Sequence, residues 1–218
     1  MLVEIIKFRA ALKGFKRTIW REIEIKDTEK LDTFIYTLLS AFNTTGTHLF
    51  SLDVGGQAFE FHQNPPYWDD QFTIEPNKIK LSQLNILYGD TMTLIYDFGS
   101  DWEFDITVKG FRQIDSSTRF PPTIINGKGY GIIEDIYPWD LKALIDETNR
   151  TGKPTDMSKV LDEYYDDDYD EDEEDLEDNN EDEEIEVPWD YREFDLEKHN
   201  KRLKDDIKTF REWYKHSN

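Results

Sequence analysis

Apolar and polar residues alternate in two neighbouring stretches near the start of the chain. One face of residues 3–12 carries Ile6, Phe8, Ala10 and Leu12. One face of residues 17–25 carries Ile19, Ile23 and Ile25, and Arg21 interrupts that apolar row. Residues 13–16, which contain a glycine, lie between the two stretches. Alternation on both sides of a short glycine turn predicts a β-hairpin.

The spacing of apolar residues then changes from two to three and four. Asp27 or Thr28 is suited to cap a helix, because a short oxygen-bearing side chain can accept from the free backbone N–H groups of the first turn. The residues that follow form one wide apolar stripe: Leu31, Phe34, Ile35, Leu38, Leu39 and Phe42. This stripe predicts a helix over residues 29–42.

Alternation returns after this helix. Residues 48–54 alternate as a strand, and Gly55-Gly56 turns the chain into a second hairpin half. Residues 80–86 predict a short helical turn. Residues 90–98 and 101–108 alternate strongly, so the YDFGSDW segment that joins them is predicted to be a turn between two core strands.

The order of these elements predicts an α+β fold with a β-grasp-like (ubiquitin-like) mixed sheet around one long helix. Residues 110–140 show little periodicity and are predicted to be irregular. Additional C-terminal helices are predicted at 140–149, 156–165 and 195–215. The last of these carries an apolar stripe of Leu196, Leu203, Ile207, Phe210 and Tyr214.

The charge of the chain is concentrated in one segment. The 218 residues carry a formal net charge of −22, but 18 of the 48 acids lie within residues 162–186, which leaves 30 acids against 26 bases elsewhere. This segment has almost no apolar content and is predicted to be disordered. We therefore divide the chain into an α+β domain at 1–161, the acidic segment at 162–186, and a helix at 187–218 that is predicted to dock on the domain.

The composition also restricts the partners and the compartment. The acidity favours a protein partner, one with a basic surface, and disfavours direct nucleic-acid binding, because phosphates would be repelled. The chain has no cysteine, which excludes disulfides and thiolate metal sites. No stretch approaches the roughly 18 apolar residues of a membrane span, and the first ten residues include Glu4 and do not form a signal peptide. A cytoplasmic protein that does not interact with membranes is expected, and its oligomeric state is left open.

The YDFGSDW turn and the hairpin Trp-Arg pair are the candidate binding rim. The rim comprises Tyr96, Asp97, Gly99, Asp101, Trp102, Glu103, Trp20 and Arg21. The turn is explained either as a structural corner, with Gly99 at positive φ, or as a pocket for a peptide or a cation. Catalysis would have to use His62 and Ser100, and nothing in the sequence holds those two residues together.

Trp20 also has two interpretations. It either belongs to a second small core covered by the C-terminal helix or forms an exposed docking site. His48 and His199 are isolated histidines, and we interpret both as hydrogen-bonded structural groups.

Several motifs in their order along the chain resemble those of the Ri-plasmid ORF-3-like family, whose members are in places called insertion-element passenger proteins. The matching segments are LKGFKRTIWREIEI (12–25), HLFSL (48–52), YDFGSDW (96–102), IIEDI (132–136) and FDLEKHNKRL (194–203). This chain has Ser100 where the family usually has Asp, and Phe104 where it commonly has His. If those family residues serve a reaction, the resemblance implies that this chain has lost it, and the family has no established reaction.

These observations predict a non-enzymatic protein-interaction or accessory module, associated by resemblance with plasmid or mobile-element proteins, and no cofactor. The alternative is an enzyme or nuclease-like accessory protein that depends on a divalent cation. Its carboxylate ligands would be Asp97, Asp101, Glu134 and Asp135, and such oxygen ligands suit Mg²⁺, Mn²⁺ or Ca²⁺.

Overall fold

A computed structural model describes residues 1–61, 72–157 and 188–216 of the chain. The chain forms two compact units. The first unit comprises residues 1–138 and 192–218, and the second comprises residues 139–191. The predicted acidic segment at 162–186 lies outside the described residues.

The first unit is built on one sheet of seven strands. In chain order these are β1 (Leu2–Leu12), β2 (Trp20–Lys26), β3 (Phe50–Val54), β4 (Gln57–Phe59), β5 (Thr91–Tyr96), β6 (Trp102–Asp115) and β7 (Thr123–Lys128). Their order in the sheet is β4-β3-β5-β6-β1-β2-β7. Helix α1 (Leu31–Ala41) and helix α3 (Leu196–His216) belong to this unit, and single 3₁₀ turns lie at Pro76–Lys78 and Leu81–Gln83.

All pairs of these named strands are antiparallel, including the central pair of β1 and β6. The α+β class is confirmed, whereas the predicted mixed sheet is wrong and the β-grasp topology is not confirmed. The order of elements along a chain does not fix the relative direction of strands as distant as β1 and β6. Here Leu12 lies opposite Phe104, so the two strands run in opposite directions.

The alternating pattern explains which face of the sheet is buried. Ile6, Phe8, Ala10 and Leu12 of β1 are buried, as predicted. Helix α1 covers this face, with the ring centroids of Phe8 and Phe34 4.4 Å apart. The opposite face carries cross-strand ion pairs such as Lys7 with Glu22, at 2.9 Å. One buried and one solvated face is the usual arrangement of an antiparallel sheet.

Helix α1 is buried on every side, because α3 packs on the side away from the sheet. All eleven residues of α1 are buried. Phe210 and Tyr214 of α3 lie 6.3 Å and 5.6 Å from the ring of Tyr36, and the hydroxyl of Ser40 donates to Asp206 at 2.5 Å. Four residues of the predicted α3 stripe are buried, whereas Leu196 is 38% exposed.

The region predicted to be irregular, residues 110–140, contains the end of β6 and all of β7, so that prediction is wrong. Polar and glycine residues hide the strand periodicity of β7, in which Ile124 is the one buried residue. The outer edge of β7 is occupied by α3. The side-chain amide of Asn200 accepts from the backbone N–H of Ile124 (2.9 Å) and donates to its carbonyl oxygen (2.8 Å).

The second unit contains α2 from Trp139 onward (Pro138–Thr151), β8 (Thr155–Asp156) and β9 (Pro188–Trp189). The two short strands pair antiparallel. The hydroxyl of Tyr191 donates to Asn149 at 2.6 Å. The helix predicted at 140–149 is confirmed. The prediction of a helix at 156–165 is wrong at Asp156, which belongs to strand β8. Residues 158–165 lie outside the described residues.

Across the described ranges, every helix is too short or too polar to cross a membrane.

Candidate functional site

The turn between β5 and β6 is fixed at both ends by buried aromatic side chains. Tyr96 and Trp102 face each other across the two strands, and both are 0% exposed. The backbone N–H of Asp97 donates to the carbonyl oxygen of Leu49 at 2.9 Å, and that of Asp101 donates to the carbonyl oxygen of Asp97 at 2.7 Å. The predicted turn between two core strands is confirmed.

Two acidic residues give this turn its shape. Asp97 and Asp101 have φ values of 59° and 60°, a left-handed conformation that aspartate adopts more readily than most residues. The carboxylate of Asp97 accepts from the backbone N–H of Gly99 at 3.1 Å and lies 3.6 Å from Nδ1 of His48. Gly99 does not have the positive φ expected of it, because the two aspartates supply the bends.

One carboxylate links this turn to distant parts of the chain. The Tyr96 hydroxyl donates to Oε1 of Glu134 at 2.7 Å. The same oxygen accepts from the backbone N–H of Thr45 at 2.7 Å, and the Thr45 hydroxyl donates to Oε2. Burial, together with the hydrogen bond to Glu134, raises the pKa of Tyr96, so the phenol stays protonated and acts as the donor.

The acidic residues proposed as metal ligands are either hydrogen-bonded within the protein or exposed at its surface. Both oxygens of Glu134 are hydrogen-bonded to Tyr96 and Thr45. Asp101 and Asp135 are exposed. Within residues 1–61, 72–157 and 188–216, no group of three or more His, Asp or Glu side chains is placed to hold a metal ion. The divalent-cation alternative therefore has no ligand set in the described part of the chain.

Arg21 lies on the inner face of β2 and is 0% exposed. Its guanidinium donates to four backbone carbonyl oxygens at 2.7 to 2.9 Å, those of Trp20, Ala41, Lys128 and Tyr130. Its Cζ lies 4.4 Å from the ring centroid of Phe194. Burial lowers the pKa of Arg21 to about 9, so the guanidinium remains charged at neutral pH. Arg21 is inaccessible to a partner, and its place in the predicted rim is wrong.

Trp20, the neighbour of Arg21, points to the opposite face of the sheet. Cζ of Arg9 lies 4.0 Å from its ring centroid. Helix α3 packs on α1, on the inner side of the sheet, so the predicted second core beneath the C-terminal helix is wrong. Glu103 is paired with Lys13 at 2.5 Å. The predicted rim is thus not one surface, since Tyr96, Trp102 and Arg21 are core residues and Trp20 lies on the outer face.

The C-terminal end of α1 is held by two arginines from other elements. The last turn of α1 contains no basic residue. Arg21 binds the carbonyl of Ala41, and Arg202 of α3 donates to the carbonyl of Ser40 at 2.8 Å and to the side chain of Asn43. Cations at this end of a helix are favourable because they satisfy its free carbonyls and its dipole.

His199 of α3 is buried near these two arginines, with an exposed fraction of 6%. Its Nδ1 lies 2.7 Å from the carbonyl oxygen of Asp195. Burial lowers the pKa of His199 to about 4; the bond to Asp195 opposes the shift, and Arg21 and Arg202 reinforce it. The interpretation of His199 as a hydrogen-bonded structural group agrees with this position.

This buried histidine predicts a loss of stability in mild acid. The folded-state pKa lies below the ordinary value, so the unfolded chain binds more protons between those pH values, and stability falls as pH falls. From pH 7 to pH 5 the free energy of unfolding should drop by about 2 kcal/mol more in the native chain than in His199→Gln. Urea denaturation across this range measures the difference, and parallel curves for the two proteins would contradict it.

The fold and the site define an α+β protein with a seven-stranded antiparallel sheet, the buried helix α1 and a turn at residues 96–102 that is anchored in the core. The chain belongs to the plasmid pRiA4b ORF-3-like family, whose model matches residues 4–201. No curated protein matches it. It is similar in fold to the crystal structure of a protein of unknown function from Methanosarcina mazei Go1, with a TM-score of 0.65 and 15% identity, covering 91% of this chain and 98% of that chain.

Sequence reasoning missed the residues that organise the site from a distance. Thr45, in the segment after α1, binds Glu134 beside the turn. From α3, Arg202 binds the end of α1 and Asn200 binds strand β7. Their polar side chains form no pattern along the chain, so periodicity could not identify them. The one available signal was Arg21, a charge at an inward position of an alternating strand, which required carbonyl or acidic partners.

Proposed function

We propose that the chain is a non-enzymatic protein-interaction module that presents Phe98 as an aromatic anchor to a protein partner. The observation that carries the proposal is the contrast in exposure within the turn at residues 96–102. Phe98 is 53% exposed, whereas Tyr96 and Trp102 on either side are 0% exposed. An aromatic ring held outward by a turn with fixed ends loses little conformational entropy when it binds, which favours such rings as interface anchors.

The surroundings of Phe98 indicate the chemistry of the partner. The exposed carboxylate of Asp101 lies in the same turn, and the chain as a whole carries a net charge of −22. A partner with an apolar socket and a basic rim would be complementary in shape and in charge, and charge complementarity would speed its association.

The edges of the sheet support an anchor in preference to strand addition. Asn200 takes both backbone groups of Ile124 on the edge strand β7. At the other edge, β4 is bridged at Phe59 by Ile74, whose backbone N–H donates to Ala58 at 3.1 Å. A peptide strand would have to displace these hydrogen bonds, so a side-chain anchor is the simpler mode of binding.

The association with plasmid or mobile-element proteins is part of the same proposal. The family is named after an open reading frame of plasmid pRiA4b, and a protein-binding module suits an accessory role in such a system.

A peptide library displayed on phage and selected against the intact chain tests the proposal. We expect enriched peptides that combine basic and apolar residues and that bind Phe98→Ser at least about tenfold more weakly, because exposed aromatic anchors supply a large share of interface energy. Phe111→Ser is the matched control, since Phe111 is 38% exposed on β6. Selected peptides that bind the wild type and Phe98→Ser equally would overturn the proposal.

A further inference from the structure

The first unit contains a cavity of about 800 Å³ between the start of α1, residues 75–80 and the last turns of α3. Five basic residues line it: Lys30, Lys78, Lys80, Arg211 and Lys215. Three acidic residues line it: Glu29, Asp32 and Glu75. Outside residues 162–186 the chain has 30 acids against 26 bases, so the balance of charge in this cavity is reversed relative to the rest of that part of the chain.

The acids of the cavity neutralise only part of this excess. Asp32 lies 3.8 Å from Nε of Arg211, and Glu75 lies 3.2 Å from Nζ of Lys78. Within the part of the chain that the structure describes, the ammonium groups of Lys30, Lys80 and Lys215 have no acidic partner, and the one remaining carboxylate is that of Glu29. The unpaired groups of the cavity are therefore mainly cationic.

Two of these lysines face each other directly. Lys30 and Lys80 form an antiparallel bridge, flanked by hydrogen bonds from Leu31 to Ile79 and from Leu81 to Glu29, both 3.0 Å. In this type of pair the Cα atoms lie about 4.5 Å apart and the side chains project to the same side. Like charges in such a pair repel each other, and an anion bound between the two exposed ammonium groups would relieve that repulsion.

The position of Lys30 at the start of α1 is also electrostatically unfavourable. It is the N-cap residue of α1 and makes no side-chain capping bond. Short oxygen-bearing side chains normally occupy this position, and a cation there is opposed by the helix dipole. The sequence thus places positive charge where local stability disfavours it.

From the cavity and its opposed lysines we infer a binding site for a ligand that carries a di- or triphosphate group. The phosphates would bridge Lys30 and Lys80, with Lys215 approaching from α3. Phe61, which stacks on the buried ring of Tyr214 at 5.3 Å, also lines this cavity and offers an apolar contact to the organic part of such a ligand. The volume is within the range of small-molecule sites. This site does not depend on the Phe98 surface.

Isothermal titration of the full chain at low ionic strength tests this inference, with inorganic tripolyphosphate, ATP without metal and adenosine as the probes. We expect saturable binding of a triphosphate probe, weakening as salt is added, and no binding of adenosine alone. ATP binding more tightly than tripolyphosphate identifies a nucleotide as the source of the phosphates, and equal affinities identify the inorganic anion; both support the site.

The double variant Lys30→Gln, Lys80→Gln should weaken triphosphate binding at least about tenfold, because it removes both opposed charges. Its melting temperature should not fall, since the substitution also removes a repulsion. The matched control is Lys198→Gln, Lys201→Gln, which changes two exposed lysines of α3 outside the cavity. The inference is overturned if neither triphosphate binds saturably, if the cavity variant binds as the wild type does, or if the control weakens binding equally.

Discussion

The variant Arg21→Met is expected to lower the free energy of unfolding by about 4 kcal/mol, which corresponds to a fall in melting temperature on the order of 10 °C. Methionine fills much of the same space and makes none of the four hydrogen bonds. Two of the carbonyls that lose the Arg21 donor, those of Ala41 and Lys128, lie outside β2, whereas the carbonyl of Tyr130 keeps a hydrogen bond from the Asn43 side chain. An unpaired buried carbonyl costs about 1 to 3 kcal/mol.

Urea denaturation of the two proteins measures this effect. Arg112→Met is the matched control, because Arg112 pairs with Glu24 on the solvated face with a side chain that is 46% exposed. An exposed ion pair contributes about 0 to 1 kcal/mol, so the control should differ little from the wild type. If Arg21→Met were as stable as Arg112→Met, the four bonds of Arg21 would contribute nothing net to the fold.

Gly131→Ala is expected to destabilise the chain by about 3 kcal/mol or more. Gly131 has a φ of 127°, and a Cβ added there would lie 2.3 Å from the carbonyl oxygen of Phe42. That oxygen accepts from the backbone N–H of Ile132 at 2.9 Å. The clash is with backbone, which no side-chain rotation relieves, so the segment that carries Glu134 would have to move away from α1.

Gly14→Ala separates this clash from the general effect of a positive φ. Gly14 has a φ of 82°, and nothing lies within 4 Å of an added Cβ. Alanine should therefore cost about 1 kcal/mol there, for backbone conformation alone. Thermal melts measure the stabilities of both variants. Similar melting temperatures would show that the backbone of Phe42 leaves room for a Cβ at position 131.

The elements with regular apolar spacing are the part of the fold that could be predicted from the sequence. Apolar residues recur every second position in β1, β2, β5 and β6 and every third or fourth position in α1. Local backbone geometry sets these periods, and all five elements are present. The direction of β1 relative to β6 and the existence of β7 depend on contacts distant in sequence. In β7, Asn126, Gly127 and Lys128 conceal the alternation, and its edge is completed by Asn200 from another element.

The candidate site was predictable to a smaller extent. The motif around residues 96–102 was correctly placed at a turn, because two strands of clear alternation flank it. Which of its residues are accessible could not be predicted, since the exposure of Phe98 and the burial of Tyr96 depend on how the turn bends at Asp97 and Asp101. The residues of the two motifs accordingly differ in position: Arg21, Tyr96 and Trp102 lie in the core, and Phe98 is exposed.

The enclosure of α1 between the sheet and α3 also constrains biosynthesis. Ser40 and Asp206, which meet in the folded protein, are separated by 166 positions in the chain. Because a nascent chain emerges from the ribosome in sequence order, the side of α1 that faces α3 stays uncovered until residues 196–216 have been synthesised. That side of the helix is therefore completed by a contact of very long sequence separation, which closes late in folding.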